Sequence, residues 1–312
     1  MKKKLEIRKE YWKEKPVIVL ENDVLRVKVR PNPGARLVSV YHKGKAFELA
    51  AQPSGRSQGT LQGDSPSFAD FDPSGMDDAF PNIDPEQVMA AGRKLQYPDH
   101  GEVWSHPFSS RQEDEQVSLV FESGVFAYRY QKDIALEGDS LILHYQISNQ
   151  GRESLPCIWT FHGLLRYEED MELFFDTSVR GFVNVFENAA LGAVGTRYAV
   201  EDDRYSFCRV PAPDTCSMTK YYADGPLQVG HCGVYYPSAG VRATLSYDAK
   251  TLPYLGVWIT AGGFQGDYNC ALEPSNGYYD SISCAKKHNS LYELPPGESL
   301  TFTIRLRLDA KA

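Results

Sequence analysis

The sequence is short of the features that mark most function classes. Its six cysteines, Cys157, Cys208, Cys216, Cys232, Cys270 and Cys284, include no CxxC pair and no tight cluster. Neither a zinc site nor a disulfide framework is written in that spacing. In a reducing compartment such thiols are expected to be free and mostly buried. Long hydrophobic runs are missing as well. The N-terminus, MKKKLEIRKEYWKEKPVIVL, runs no further than Val17–Leu20 before Glu21, Asn22 and Asp23. A secretory signal needs roughly 7–15 apolar residues in a row, and nothing in the chain approaches the roughly 18 of a membrane span. The expectation is a soluble, cytoplasmic protein. Positive charge is in deficit, with 33 Lys and Arg against 41 Asp and Glu and a net charge of −8. Without a basic block, nucleic acid and anionic membranes are not expected partners. No GxGxxG opens a helix, Gly262-Gly263 is not followed by GK[ST], and no GxSxG occurs. A phosphate cradle and a nucleophile elbow are therefore excluded.

What is present is period-two alternation. In Ser140–Ser148, Leu141, Leu143, Tyr145 and Ile147 share one face while Ile142, His144 and Gln146 share the other. Leu25–Arg30 and Phe302–Leu308 alternate in the same way, and Val117–Phe121, Val125–Tyr130 and Val241–Tyr247 are shorter runs of the same kind. Gly and Pro clusters such as PNPG at 31–34 and PPG at 295–297 separate them. Many short strands between turn signals predict an all-β sandwich or barrel. One helix is expected, over Pro85–Lys94, where a Pro after Asp84 starts a run of helix formers. Residues 51–84 show neither period and are rich in Gly, Ser, Pro and Asp. Phe68, Phe71 and Phe80 argue that this long loop packs on the body, giving one domain over 1–312, with two domains as the alternative. A 312-residue chain buries roughly 75% of its surface on folding and needs no staple.

Ionisable and aromatic residues gather in three places. Tyr97–Phe108 (YPDHGEVWSHPF) carries His100, Glu102, Trp104 and His106; Ile158–Tyr167 carries His162; and Gly262–Ser281 carries Glu273. Glu273 ends the apolar stretch Asn269–Leu272 and is followed by Pro274. A partly buried carboxylate there would have a raised pKa suited to a general base; the alternative is a surface Glu opening a turn. His162 ends an apolar strand, where it is either a satisfied core histidine or, facing a cleft, a natural acid. His100, Glu102 and His106 invite a metal reading, but predictive zinc motifs have tighter spacings, and no metal or other cofactor is expected. Trp104, Trp159 and Trp258 are core residues or, in a cleft, platforms for the apolar face of a sugar ring.

Taken in order, the segments resemble the galactose mutarotase (aldose 1-epimerase) superfamily. LRVKVRPNPGARLVSV (Leu25–Val40) is similar to its opening hairpin, and SGMDDAFPNID (Ser74–Asp84) to its loop of Gly, acidic residues and F-P-x-I. PDHGEVW resembles the segment of the first active-site histidine, in an HG dipeptide. ISNQGRESLPCIWTFHGLLR resembles the strand of the second, with Gly163 where Pro is common. ALEPSNGYYDS is similar to the E-P-x-x-G-x-x-D-S signature that carries the catalytic glutamate; PYLGVWITAGGF and LPPGESLTFTIRLRL also fit. The resemblance implies an antiparallel β-supersandwich acting on a small-molecule sugar. Glu273 would be the base at the anomeric hydroxyl, His162 the acid at the ring oxygen, and His100 a group that polarises a sugar oxygen. Arg36, Asp78, Glu102, Trp104 and Trp258 would bind substrate. The family's hydroxyl-binding Asp, expected between His162 and Glu273, has candidates in Asp202, Asp203 and Asp224. The arginine that follows HG in sugar-phosphate relatives is replaced by Glu102, Val103 and Trp104, which weakens a phosphorylated substrate.

Two other readings compete. A carbohydrate-binding or regulatory protein on the same scaffold would keep the residues without turning over. A hydrolase would need two carboxylates roughly 5–10 Å apart, for which Glu102 and Glu273 are candidates.

Overall fold

The computed structural model describes residues 5–54, 66–71, 74–90 and 93–310. Among these, antiparallel strands assemble into a 12-stranded sheet and an 8-stranded sheet, with three two-stranded ribbons beside them. Near its middle the larger sheet runs in the order Arg36–His42, Met76–Ala79, Thr160–Arg166, Tyr268–Ser275, Tyr254–Ala261 and Ser217–Ala223. The smaller one is centred on Val241–Tyr247, Ser299–Ala310, Ser140–Asn149 and Tyr128–Glu137. All-β expectation and observation agree. Leu25–Arg30 and Val241–Tyr247 are strands with the expected bounds. Leu141, Leu143, Tyr145 and Ile147 are all buried, as their shared face requires. In Val125–Tyr130, only Tyr128 onward is strand.

Alternation then decides what each face of the larger sheet meets. Phe161, Leu165 and Leu272 point toward Val234, Leu245 and Leu306 of the smaller sheet, and the apolar core lies between. The residues between them in sequence, His162, Leu164, Ala271 and Glu273, are turned to the opposite face. Burial of each large aliphatic side chain in such a core contributes roughly 1.5–3 kcal/mol, so these strands cannot slip by one residue without reversing that exposure.

The expected helix over Pro85–Lys94 is a hairpin instead. Glu86–Ala90 pairs with Arg93–Tyr97, from Glu86↔Tyr97 to Ala90↔Arg93. Pairing aligns Val88 opposite Leu95, both packed on the core, and leads into fully buried Tyr97. The Tyr97 hydroxyl donates to the Pro156 carbonyl at 2.7 Å. Intrinsic helix propensity is a weak preference that such packing overrides. The α-helix among the described residues is Ile282–Lys287, where the Ser281 side chain accepts from the Cys284 amide as an N-cap. Within the segment read as irregular, Met76–Ala79 is a strand and Phe68–Asp70 a 3-10 turn; residues 55–65 and 72–73 of that segment lie outside the described residues. All six cysteines are free, but Cys208 and Cys216 are exposed rather than buried. No helix among the described residues is long and apolar enough to cross a membrane.

Candidate active site

The register of four strands lays a row of charged side chains across the larger sheet. His162 pairs directly with Asp77. Thr160↔Ser275 and Leu164↔Ala271 share one register, so His162 falls across from Glu273. On the other side of Asp77, Leu37↔Met76 puts Arg36 alongside it. Side chains opposite one another on neighbouring strands share a face, and the distances follow: Arg36 Nη2 to Asp77 Oδ2 2.6 Å, His162 Nδ1 to Asp77 Oδ1 3.0 Å, and His162 Nε2 to Glu273 Oε1 3.9 Å. Gly256 is the next member, paired with Glu273. A Cβ there would sit 3.0 Å from Glu273 Oε2, so the glycine leaves room for the carboxylate.

Beside this row lies a cleft of about 280 Å³ lined by His162, Glu273, His100, Lys220, Trp258 and Phe68, among others. His100 reaches it from a turn. Its backbone is left-handed (φ 55°), as is that of Gly101 (φ 72°), and a Cβ on Gly101 would lie 2.0 Å from the Phe80 carbonyl oxygen. That is why the HG dipeptide has glycine second. Gly101→Ala is expected to cost about 1–3 kcal/mol or more and to displace His100. Urea unfolding, together with the rate assay described below, checks it; an unperturbed variant would mean the turn adapts freely. His100 Nδ1 lies 2.6 Å from Asp99 Oδ1, and its ring stacks on Phe68 at 4.2 Å. Phe68 also stands edge-on to His162 at 4.8 Å, with its amide donating to Asp99.

The electrostatics follow from burial and partners. Glu273 is 1% exposed; burial raises its carboxyl above the usual range, with Lys220 and then His162 pulling the other way. Asp77 is also desolvated, but the charge of Arg36 and the hydrogen bond from His162 outweigh burial and hold it down at about 2. Since an ionised Asp77 only accepts, His162 Nδ1 must be the donor, which leaves Nε2 to exchange protons. Burial lowers the His100 pKa, partly offset by Asp99. Lys220 Nζ is 2.6 Å from Asp280 Oδ2 and 3.9 Å from Glu273 Oε2. Burial alone would lower its pKa, yet Asp280 and Glu273 raise it, so it stays charged.

The structure thus brings Glu273, His162, His100 and Trp258 to one cleft and takes the other expected binders elsewhere. Trp258 offers a half-buried ring, its Nε1 donating to Asn269 Oδ1 at 2.9 Å and Phe264 edge-on at 5.5 Å. Arg36 is fully buried behind Asp77. Asp78, one residue from Asp77, points to the other face, where it accepts from Lys132 Nζ at 2.8 Å and from the Tyr130 and Tyr145 hydroxyls at 3.0 Å each. That network joins the two sheets. Glu102 is buried against Tyr128 and so does not pair with Glu273 as hydrolysis would ask. Trp104 is buried behind Phe68, edge-on at 5.0 Å, with Nε1 donating to the Asp99 carbonyl. His106 Nδ1 faces the Glu102 carbonyl oxygen at 2.8 Å. Among the described residues no group of three His, Cys, Asp or Glu side chains is arranged to hold a metal ion.

Asp77, Lys220, Asp84, Asp99, Asp280 and Asn269 are polar residues in or beside the cleft that the sequence did not single out. Lys220 is the only charged side chain in its strand, SMTKYYA, and that isolation was a readable signal. Asp202 and Asp224 instead pair with Arg204 and Arg197; neither they nor Asp203 line the cleft.

Solved structures with this architecture are known. A galactose mutarotase-like protein from Clostridium acetobutylicum superposes with a TM-score of 0.75, covering 99% of both chains at 14% identity. The chain has the galactose mutarotase-like fold. A second galactose mutarotase-like protein, from Lactobacillus casei ATCC 334, gives 0.71 over 94% of this chain and 100% of its own, at 14% identity. The Slr1438 protein from Synechocystis sp. PCC 6803 gives 0.73 over 95% and 96%, at 18% identity. Residues 197–308 match the family described as a domain of unknown function, DUF4432. No curated protein matches the sequence at a significant level. Within the mutarotase-like fold, residues 197–308 include the strands of Lys220, Trp258 and Glu273.

Proposed function

We propose that this protein is an aldose 1-epimerase-like enzyme that interconverts sugar anomers by acid–base ring opening. The observation that carries the reading is the pair His162 Nε2 and Glu273 Oε1, 3.9 Å apart on one wall of the cleft. They are too far apart to hydrogen-bond each other. A cyclic hemiacetal carries its anomeric hydroxyl and its ring oxygen on the same carbon, so base and acid must stand close together.

Glu273 takes the proton of the anomeric hydroxyl, and protonated His162 gives one from Nε2 to the ring oxygen. The C1–O bond of the ring breaks as the C1 carbonyl forms. Rotation about C1–C2 presents the other carbonyl face, and closure returns both protons. Asp77, held ionised by Arg36, supports the imidazolium from Nδ1. Neutral His100 donates a hydrogen bond from Nδ1 to Asp99, so its other nitrogen accepts from a sugar hydroxyl rather than donating. Trp258 supplies an apolar face for the ring. Residues of this chain provide every proton transfer in the cycle.

The deciding experiment is polarimetry or saturation-transfer NMR on freshly dissolved α-anomers of glucose, galactose and other aldoses. Enhancement over spontaneous mutarotation supports the enzyme; binding without enhancement would replace it with a sugar-binding protein.

The pH profile is a separate expectation. Glu273 works ionised, so kcat/KM falls as pH drops through its pKa. Burial holds that pKa above the ordinary 4.5, which puts the acid limb at higher pH than for an exposed glutamate. Lys220 opposes burial, whereas Asp280 adds to it, so Lys220→Met should move the limb upward again. A limb at or below pH 4.5 in the wild type would contradict the assignment.

A further inference from the structure

The cleft is unevenly charged. Among the described residues, four carboxylates line it, from Asp84, Asp99, Glu273 and Asp280, against the single ammonium of Lys220, with no arginine. Lys220 is already committed to Asp280 at 2.6 Å and leans on Glu273 at 3.9 Å. Asp280 takes a second donor, the Tyr222 hydroxyl at 2.7 Å. Asp99 is met by His100 and by the Phe68 amide. Among the described residues buried Glu273 Oε2 has no hydrogen-bond partner, so carboxylate oxygens outnumber donors here. Asp84 is held against Asp280 through its backbone, its amide donating to the Asp280 carbonyl at 2.9 Å. Among the described residues, none donates a hydrogen bond to the Asp84 carboxylate. Asp84 stands at the solvent-exposed edge of the cleft. Partial desolvation, and then the like charge of Asp280, push its carboxyl up to about 6 against the pull of Lys220, so near pH 7 it carries negative charge that no hydrogen-bond donor among the described residues meets.

Among the described residues the positive groups facing the cleft are Lys220, already paired, and the His162 imidazolium backed by Asp77. An anionic ligand would therefore enter against this field, whereas a cationic one would relieve it. We propose that the cleft selects its sugar by charge: it favours an aldose bearing a protonated amine over the hydroxyl counterpart and rejects phosphorylated sugars, with Asp84 meeting the ammonium. This rests on reading the cleft as a sugar site but not on turnover.

The test is competitive binding by saturation-transfer difference NMR at pH 7, on wild type and Asp84→Asn. Its probes are glucosamine, glucose and glucose 6-phosphate, and the matching galactose series. In the better-bound series the amine is expected to bind about fivefold more tightly than its parent, the worth of one partly exposed ion pair, with the phosphate weakest. Asp84→Asn should bring amine and parent within about twofold of each other. Equal binding of amine and parent, or a phosphate that binds as well as either, overturns the proposal. A preference that survives Asp84→Asn removes Asp84 from it. Preferential binding of the amine without anomer exchange upholds it and overturns the epimerase reading, and binding of none of the probes overturns both.

Discussion

Glu273→Gln is expected to lower the catalysed rate of anomer exchange by about 10³-fold, within the 10²–10⁴ that a positioned general base contributes. The amide matches the carboxylate in size but cannot accept the anomeric proton. Folding should survive. Lys220 keeps its 2.6 Å ion pair with Asp280, so the ammonium is not stranded. Gly256 still leaves the space that a Cβ would crowd. Circular dichroism and an unchanged urea midpoint would show the fold intact while polarimetry reads the loss. A variant retaining a tenth or more of the wild-type rate would remove Glu273 from the role of base.

His162→Asn should reduce turnover by about 10²–10⁴-fold, with a smaller effect on sugar binding, because asparagine can neither deliver nor reclaim the ring-oxygen proton. Unchanged turnover would take His162 out of the acid role. Asp77→Asn separates chemistry from support. Nε2 is untouched, but the imidazolium loses its counter-charge, so kcat is expected to fall about 10–100-fold, by analogy with removal of a carboxylate that orients a metal-bound imidazole, with KM nearly kept. Stability gives an independent readout. The Asp77 pKa is held at about 2 against an ordinary 3.8, worth roughly 2 kcal/mol of folding free energy. A depressed carboxyl pKa stabilises the fold above the ordinary value, and that contribution is lost as pH falls from about 4 toward 2. Asp77→Asn should lack this part of the acid dependence; the same fall in both proteins would show that the Arg36–Asp77 pair contributes little.

These expectations join two kinds of information. Alternating patterns such as SLILHYQIS were sufficient for strands and for an all-β architecture, because a strand with one face in the core must alternate whatever its neighbours are. Hydrophobic burial is non-directional, and it wrote itself along the chain. The proposed acid–base residues were also legible as types: a glutamate and a histidine beside apolar runs, and a histidine before a glycine. Glu273 and His162 nevertheless lie within their strands, Tyr268–Ser275 and Thr160–Arg166, and not at the ends expected. The helix expected at Pro85–Lys94 failed because a short run of helix formers weighs less than a hairpin that seats Val88 and Leu95 on the core.

The choice between neighbours was settled elsewhere. Asp77 and Asp78 are chemically identical, and the chain alone does not say which faces the cleft. Pairing of His162 with Asp77 turns Asp77 toward the row that holds His162 and Glu273, and the strand's period sends Asp78 inward to Lys132. Lys220 enters the cleft because Ser217–Ala223 lies two strands from Tyr268–Ser275 in the sheet, although 53 positions separate Lys220 from Glu273. Composition and periodicity are local and survive in the sequence. Which distant side chains share a face depends on strand order and register, and these exist only once the sheets have formed.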